Sequence, residues 1–555
     1  MDTIPQLFFD RLASSADKTA VLVFERETWN ERTWQQFADE VVRIAAQLRA
    51  DGVQAGDRVA SYSENRYEWL VIDFAIQLVP AIHVPIHAPL TGVQAKYQIE
   101  HSSSRAVIVS TPELGQRIES SYEELPDTVV WYSLDPIPGD SWKPLFDPDF
   151  SCNLDEAHAT ARESAATVST DDLATILYTS GTTGEPKGVM LSQRNLFTNA
   201  KSAAEVFDID PDGLRLCMLP LSHIFARVCD LYMWVVHGTR MALARSPESV
   251  LEDCATLHPT WLNAVPYFFD KCLSYLQAIG RENEPNALRQ LFGGQIEYCC
   301  SGGAALPVHI FDYYAEQGLP ILQGYGLTET SPVVSVSRID GTRREASGQP
   351  IADVEVCLGD DGEILTRGPN LMMGYYRDQV ATDAAIRDGW FYTGDYGRLD
   401  EDGFIYITGR KKEIIVTAGG KNIAPVLLES LLTQDPLIEQ AVVIGDGRKY
   451  LTALLVPNPA SMQTLLDELG ESIKLSATAL THPKVQGRFQ QIIARQLQDV
   501  SRYEQVQRFV LLDRAFSIEQ EEMTPKLSLR RGMIEEHFQE QIEAMYAASR
   551  DESSS

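Results

Sequence analysis

No stretch of the 555 residues approaches the ~20 consecutive apolar residues that a membrane-spanning helix needs. The opening segment, MDTIPQLFFDRLASSADK, lacks the basic-then-apolar order of a signal peptide and reads as a short amphipathic helix. The eight cysteines show no CxxC or His-rich spacing, so zinc sites and disulfide frameworks are not expected. Cys299 and Cys300 sit in an apolar run and read as core thiols. Positive charge is scarce: 47 Lys and Arg stand against 78 Asp and Glu, a net charge of −31. That balance disfavours a nucleic-acid or anionic-membrane surface. Internal repeats and low-complexity tracts are absent apart from the polar end SRDESSS. A cytoplasmic protein is expected.

What is present is α/β alternation. WQQFADEVVRIAAQLRADG has helical periodicity, DRVASYSE reads as a strand, WLVIDFAIQLV as a helix, and AIHVPIH and SRAVIVS as strands. Three apolar strand runs are each followed by a polar, glycine-rich segment: ATILYTS by GTTGEPKG, IEYCC by SGGAAL, and LPILQG by YGLTETSP. Ser192 is placed to cap a helix after the first, and Pro307 to start one after the second. Ligands of parallel α/β sheets bind at the carboxyl ends of strands, so these segments should converge on one crevice. A composition break near 403–412 introduces a different pattern, with a hairpin in AVVIGDGRKYLTALLV and a long helix in KVQGRFQQIIARQLQDV. A separate small α+β domain is expected there.

The segment YTSGTTGEPKG (178–188) is not a Walker A loop, because Lys187 follows Pro186 and precedes Gly188 rather than Ser or Thr. Its composition still suits phosphate. The glycines allow backbone N–H groups close to oxygens, Thr179, Ser180, Thr182 and Thr183 add hydroxyls, and Lys187 adds a point charge.

Five segments occur in order: YTSGTTGEPKG, LPLSHIFAR (219–227), SGGAALP (301–307), GYGLTETSP (324–332) and the run from Asp388 to Pro425. Together they resemble the motif series of the adenylate-forming acyl-CoA synthetase superfamily, over about residues 10–535, and most closely its long-chain fatty acid–CoA ligase branch. The resemblance implies a large N-terminal domain (1–409) of doubly wound α/β subdomains with a small β-barrel part, then a small mobile α+β domain (410–555) hinged at 409–412. It implies ATP-dependent activation of a medium- to long-chain fatty acid to an acyl-adenylate and transfer to coenzyme A, with Mg²⁺ as cofactor. An acyl-AMP ligase serving a carrier protein and a degenerate nucleotide-binding homologue are the rival readings. Within this sequence no carrier-like segment follows the small domain, and no insertion separates Asp395 from Lys412. Both points favour free coenzyme A.

By the same resemblance, Thr179, Ser180, Gly181, Thr182, Thr183, Gly184 and Lys187 would wrap the β- and γ-phosphates. Ser301, Gly302, Gly303 and Ala304 would line the adenine slot, with Tyr325, between Gly324 and Gly326, stacked on the base. Thr328 and Glu329 would meet the α-phosphate and Mg²⁺, and Asp395 and Arg410 the ribose. His223 would lie by the carboxylate, and Trp261, Val265, Tyr267 and Phe268 would wall the acyl pocket. Lys412 would be the hinge, and Gly419, Gly420 and Lys421 would shape the coenzyme A tunnel. One departure stands out. The adenylation lysine of the long-chain branch has Ser528 in its column here, in TPKLSLRR, and Lys526 lies two residues earlier. A two-residue shift along a strand keeps the same face, so Lys526 is the candidate; the alternative is weak adenylation. The partners implied are fatty acid, ATP and coenzyme A, with transient contact at the inner face of a membrane because fatty acids partition there. Monomer and homodimer both remain open.

Overall fold

The computed structural model describes residues 2–139, 141–179, 185–411, 413–469, 477–517, 519–523 and 529–547. Local sequence explains the early elements. The Thr3 hydroxyl accepts from the Gln6 N–H and caps the helix Ile4–Ser15. Thr33 and Gln36 exchange hydrogen bonds as a capping box at the start of Trp34–Ala50. Trp34, Phe37, Val41, Ala45 and Leu48 follow the helical repeat and are all buried.

Two large sheets make the frame. The first has eight strands, in spatial order Gly374–Tyr375, Lys187–Ser192, Leu173–Thr179, Ile82–His87, Arg58–Ser63, Ala106–Val109, Val130–Ser133 and Lys143–Pro144. From Leu173–Thr179 onward the neighbours run parallel. The second sheet has nine strands, with a parallel centre formed by Ile321–Gly326, Tyr298–Ser301, Trp261–Ala264, Leu214–Cys217 and Arg240–Leu243. Helices cover these sheets, as parallel strands require.

The expected small β-barrel part is an antiparallel five-stranded sheet, Glu355–Leu358, Glu363–Arg367, Ile386–Arg387, Trp390–Leu399 and Ile405–Arg410, whose pairings do not close on themselves. Beyond it, Ile438–Ile444 and Leu451–Pro457 form the expected hairpin, and Val506–Leu511 adds in parallel. The buried apolar clusters of this C-terminal part begin at Ile415, whereas those of the N-terminal part end at Ile405.

Candidate active site

Lys187 is the first residue of a strand, not part of a strand-to-helix loop. Leu173–Thr179 and Lys187–Ser192 are antiparallel, with Thr179 opposite Lys187, so the glycine-rich segment joins a hairpin. Ser180, Gly181, Thr182, Thr183 and Gly184 lie outside the described residues. Ser192 ends the strand and caps Gln193–Ala204 as the sequence suggests.

The hairpin reaches its partners through a residue that the motifs did not single out. Gly374–Tyr375 pairs with Met190 and Val189 at the sheet edge. This puts the Tyr375 ring 5.0 Å from Lys187 Nζ, within cation–π range. The Tyr375 hydroxyl donates to Glu329 Oε1 at 2.9 Å. Glu329 sits in the tight turn Thr328–Thr330, and its carbonyl accepts from the Met372 N–H. Lys187, Tyr375 and Glu329 thus form one chain of contacts across two sheets.

A second chain lies beside it. The Tyr325 hydroxyl donates to Asp395 Oδ2 at 2.8 Å, and Asp395 Oδ1 is 3.0 Å from Arg410 Nε. Asp395 and Arg410 are opposed in the antiparallel pair Trp390–Leu399 and Ile405–Arg410. Asp395 is almost fully buried. Burial pushes its carboxyl above the ordinary range, against the pull of Arg410 and Tyr325. Arg410 feels both Asp395 and Glu329, so the two chains share one electrostatic neighbourhood.

Space restricts the neighbouring glycines, Gly326 absolutely and Gly302 less so. A Cβ on Gly326 would fall 1.7 Å from the Pro332 carbonyl oxygen, and one on Gly302 only 3.1 Å from the Phe225 ring. Ser301 Oγ is buried without a partner and lines the cavity below. A flat polar ligand seated against this backbone would both fill the cradle and satisfy that hydroxyl.

The cavity, of about 210 Å³, is lined by Tyr325 and Thr328 together with Trp261 and other residues of the second sheet. Its lining is largely apolar, with Val265, Phe207 and Met233 among its walls. Trp261 is the first residue of its strand and is buried. Its ring lies 4.2 Å from the Arg215 guanidinium and 4.6 Å from Phe207, and its Nε1 donates to Asn263 Oδ1. Asp230, fully buried beside Arg215 and Asn263, has its carboxyl pushed up to about 6 by burial.

His223 lines the cavity, as does His87, which the motifs did not single out. The two rings are 5.0 Å apart. The segment carrying His223 is pinned to the first sheet at both ends. Asn65 donates to the Leu219 carbonyl and accepts from the Leu221 N–H. Arg227 is fully buried and reaches Asp73 at 2.6 Å and Thr175 at 2.7 Å. Asp73 also accepts from His83 Nδ1 and the Tyr232 hydroxyl. Burial alone would raise the Asp73 carboxyl, but Arg227 and His83 outweigh it and hold it low. Burial and the Arg227 charge push His83 down to about 4. A π-helical turn, Arg227–Tyr232, follows directly, a feature frequent at functional sites.

Some expected residues do not join this site. Tyr267 is half exposed, and Phe268 packs on Phe269 and Phe292 in a separate core, so neither walls the cavity. The helix Pro266–Ala278 turns them away from Val265. Ala304 is exposed and does not line the cavity, unlike Ser301, Gly302 and Gly303. Gly419, Gly420 and Lys421 form the turn between Ile415–Val416 and Asn422–Ile423, and Lys421 lies over the Tyr503 ring at 5.5 Å. Lys412, Lys526 and Ser528 lie outside the described residues.

Among the described residues no group of three or more His, Cys, Asp or Glu could hold a metal by itself. A lone carboxylate such as Glu329 beside a phosphate cradle fits Mg²⁺, which takes one or two carboxylates and completes its shell with phosphate oxygens and water.

The chain belongs to the AMP-binding enzyme family, whose model matches residues 8–376, followed by the AMP-binding enzyme C-terminal domain over 412–550. Among similar curated proteins is the long-chain-fatty-acid–CoA ligase FadD15 of Mycobacterium bovis, 32% identical, with 96% of this chain and 97% of that one covered. Another is the long-chain-fatty-acid–[acyl-carrier-protein] ligase AEE15 of Arabidopsis thaliana, 25% identical over 98% of this chain and 86% of that one. Among solved structures, ATP-bound MatB from Rhodopseudomonas palustris superposes with a TM-score of 0.74 at 25% identity, covering 96% of this chain and 99% of that one.

Proposed function

We propose that this chain activates a medium- to long-chain fatty acid with ATP and passes the acyl group to coenzyme A. The observation that carries the reading is the junction of a polar cradle with a largely apolar cavity that Tyr325 and Thr328 also line. The full-length similarity to a long-chain-fatty-acid–CoA ligase supports it.

In this reading the acid's tail lies toward Trp261 and its carboxylate points to Thr328 and His223. The carboxylate oxygen attacks the α-phosphorus of ATP, and pyrophosphate leaves toward Lys187 and the segment before it. Lys187 offsets the charge on the departing oxygens. Tyr375 holds the Glu329 carboxylate, which would hold Mg²⁺. When bound, that ion neutralises phosphate charge. The Asp395 carboxylate accepts from the ribose hydroxyls while Arg410 and Tyr325 fix its position. Tyr325 stacks on the adenine. These groups act by positioning and charge stabilisation, and none forms a covalent bond to substrate.

The second half-reaction places coenzyme A at the same acyl carbon. We read residues 409–412 as the hinge between domains 1–409 and 410–555. Rotation there would bring Gly419, Gly420 and Lys421 to the crevice in exchange for Lys526. A cytoplasmic chain with transient membrane contact fits such a substrate. No described helix is long and apolar enough to cross a bilayer.

Incubation with palmitate, ATP and Mg²⁺, with and without coenzyme A, tests the reading by AMP and thioester yield. Palmitoyl-CoA and AMP in equal amounts support it. Acyl-adenylate that passes only to an acyl carrier protein supports the carrier-coupled alternative, the activity named for the Arabidopsis relative.

A further inference from the structure

Thr179 and Lys187 are the last described register pair of the hairpin Leu173–Thr179 and Lys187–Ser192. A charge that must meet departing oxygens to within about 0.5 Å needs support there from outside the two strands. The register shows which face can supply it. Directly opposed residues of an antiparallel pair share a face, and faces alternate along each strand. Thr179, Lys187 and Tyr375 therefore share one face of the sheet edge, and Tyr178 and Gly188 share the other. Tyr376 joins the second face, where its N–H donates to the Gly188 carbonyl. A Cβ on Gly188 would fall 3.3 Å from Tyr376 Cβ, 3.4 Å from the Tyr178 ring and 2.8 Å from Ile176, so the three residues are packed tightly together.

The helix Gly92–Ser102 packs against this second face through two side chains one turn apart, Tyr97 and His101. Their rings stack at 5.4 Å and 16°. His101 Nδ1 is 2.8 Å from the Tyr178 hydroxyl, and the imidazole meets the Tyr178 and Tyr376 rings edge-on, each at 5.7 Å. The Tyr97 hydroxyl donates to the Pro186 carbonyl at 3.3 Å, immediately before Lys187. Arg377 ties the edge strand to the same helix end, donating to the His101 carbonyl at 2.9 Å and to Ser103 Oγ at 3.0 Å. One helix thus holds Tyr178, Pro186 and Tyr376, the immediate neighbours of Thr179, Lys187 and Tyr375. His101 is the hub of these contacts and reaches the phosphate face only through them.

We propose that His101 is a positioning residue for adenylation, an inference that rests on the function proposed above. Its contact with the Tyr178 hydroxyl, braced by the Tyr97 ring, fixes where Thr179 and Lys187 stand relative to the departing pyrophosphate. The second half-reaction releases AMP and no pyrophosphate, so it does not draw on this support.

The test separates the half-reactions in full-length His101→Ala, His101→Asn, Tyr178→Phe and the double variant His101→Ala/Tyr178→Phe. Palmitate-dependent exchange of labelled pyrophosphate into ATP reports the first. Single-turnover conversion of preformed palmitoyl-adenylate by coenzyme A reports the second. His101→Ala and Tyr178→Phe are each expected to lower the kcat of exchange roughly tenfold, with KM for palmitate and the second step within about threefold of wild type. The double variant should lose little more than either single one, because both changes break the same link. His101→Asn, whose side-chain amide can stand where Nδ1 stands, should exchange at least about threefold faster than His101→Ala. Equal loss in both half-reactions marks a purely structural role and overturns the inference. So do undiminished exchange in the single variants, additive losses in the double variant, or no recovery in His101→Asn. Wild-type exchange is the control: its absence sinks the functional reading itself, whereas its presence beside any of these results sinks this inference alone.

Discussion

Tyr325 and Asp395 are joined by a 2.8 Å hydrogen bond across 70 residues of sequence. One lies in a strand of the second large sheet, and the other belongs to the small antiparallel sheet. Tyr325→Phe removes the phenolic donor and leaves a buried carboxylate short of a partner. KM for ATP should rise roughly tenfold, about 1.4 kcal/mol, with the fold intact. An unchanged KM for ATP would place the nucleotide elsewhere.

Lys187→Ala removes the cation that faces Tyr375 and the departing pyrophosphate. The adenylation rate should fall by roughly 10²–10³ with little change in binding of the acid. Lys187→Arg should recover only part of it, since a planar fork does not replace a point charge. Tyr375→Phe, which frees Glu329 Oε1, should raise the Mg²⁺ concentration needed for half-maximal rate.

Trp261→Ala removes an indole from the wall of the cavity proposed to hold the acyl tail. Preference across a panel from octanoate to oleate should move toward longer acids. The same change should cost about 3–5 kcal/mol of stability, because a buried indole with cation–π and amide contacts is lost. A destabilised variant with unaltered preference would show that the tail does not run toward Trp261.

His83 carries a pH signature. Its folded-state pKa, about 4, lies below the unfolded 6.5, so the unfolded chain binds more protons between those values. Its share of stability, about 3 kcal/mol, is complete above pH 6.5 and is lost as pH falls toward 4. In His83→Gln, unfolding free energy should depend less steeply on pH across that window. Asp230 works in the opposite sense, since its raised pKa favours the folded state as pH falls below about 6. Both proteins retain it, so the comparison cancels it.

Lys526 and Ser528 can be separated by substitution. Lys526→Ala should lower pyrophosphate exchange by roughly 10²–10³ while sparing transfer from preformed adenylate. Ser528→Ala should leave both steps within about threefold.

The residues legible in the sequence are those whose chemistry is local. Glycines beside Lys187, Glu329 in a tight turn and Asp395 after a glycine each announce themselves within a few positions. Tyr375 does not, because its contacts come from strand pairing. Arg227 lies inside a quoted motif, yet its partners Asp73 and Thr175 belong to other elements. Tyr267 and Phe268 mislead for the opposite reason. Proximity to Val265 along the chain suggests a shared wall, but a helix begins at Pro266 and turns the next side chains elsewhere. The separate C-terminal part was legible from its change of pattern.

The most direct measurement is acid-dependent exchange of labelled pyrophosphate into ATP by wild type, Lys187→Ala, Glu329→Gln and Asp395→Asn. A single cradle at the head of the acyl cavity requires exchange in wild type only when a fatty acid is present, and a loss of at least tenfold in every variant. Exchange that ignores the acid, or that survives any two of these substitutions at full rate, would contradict it.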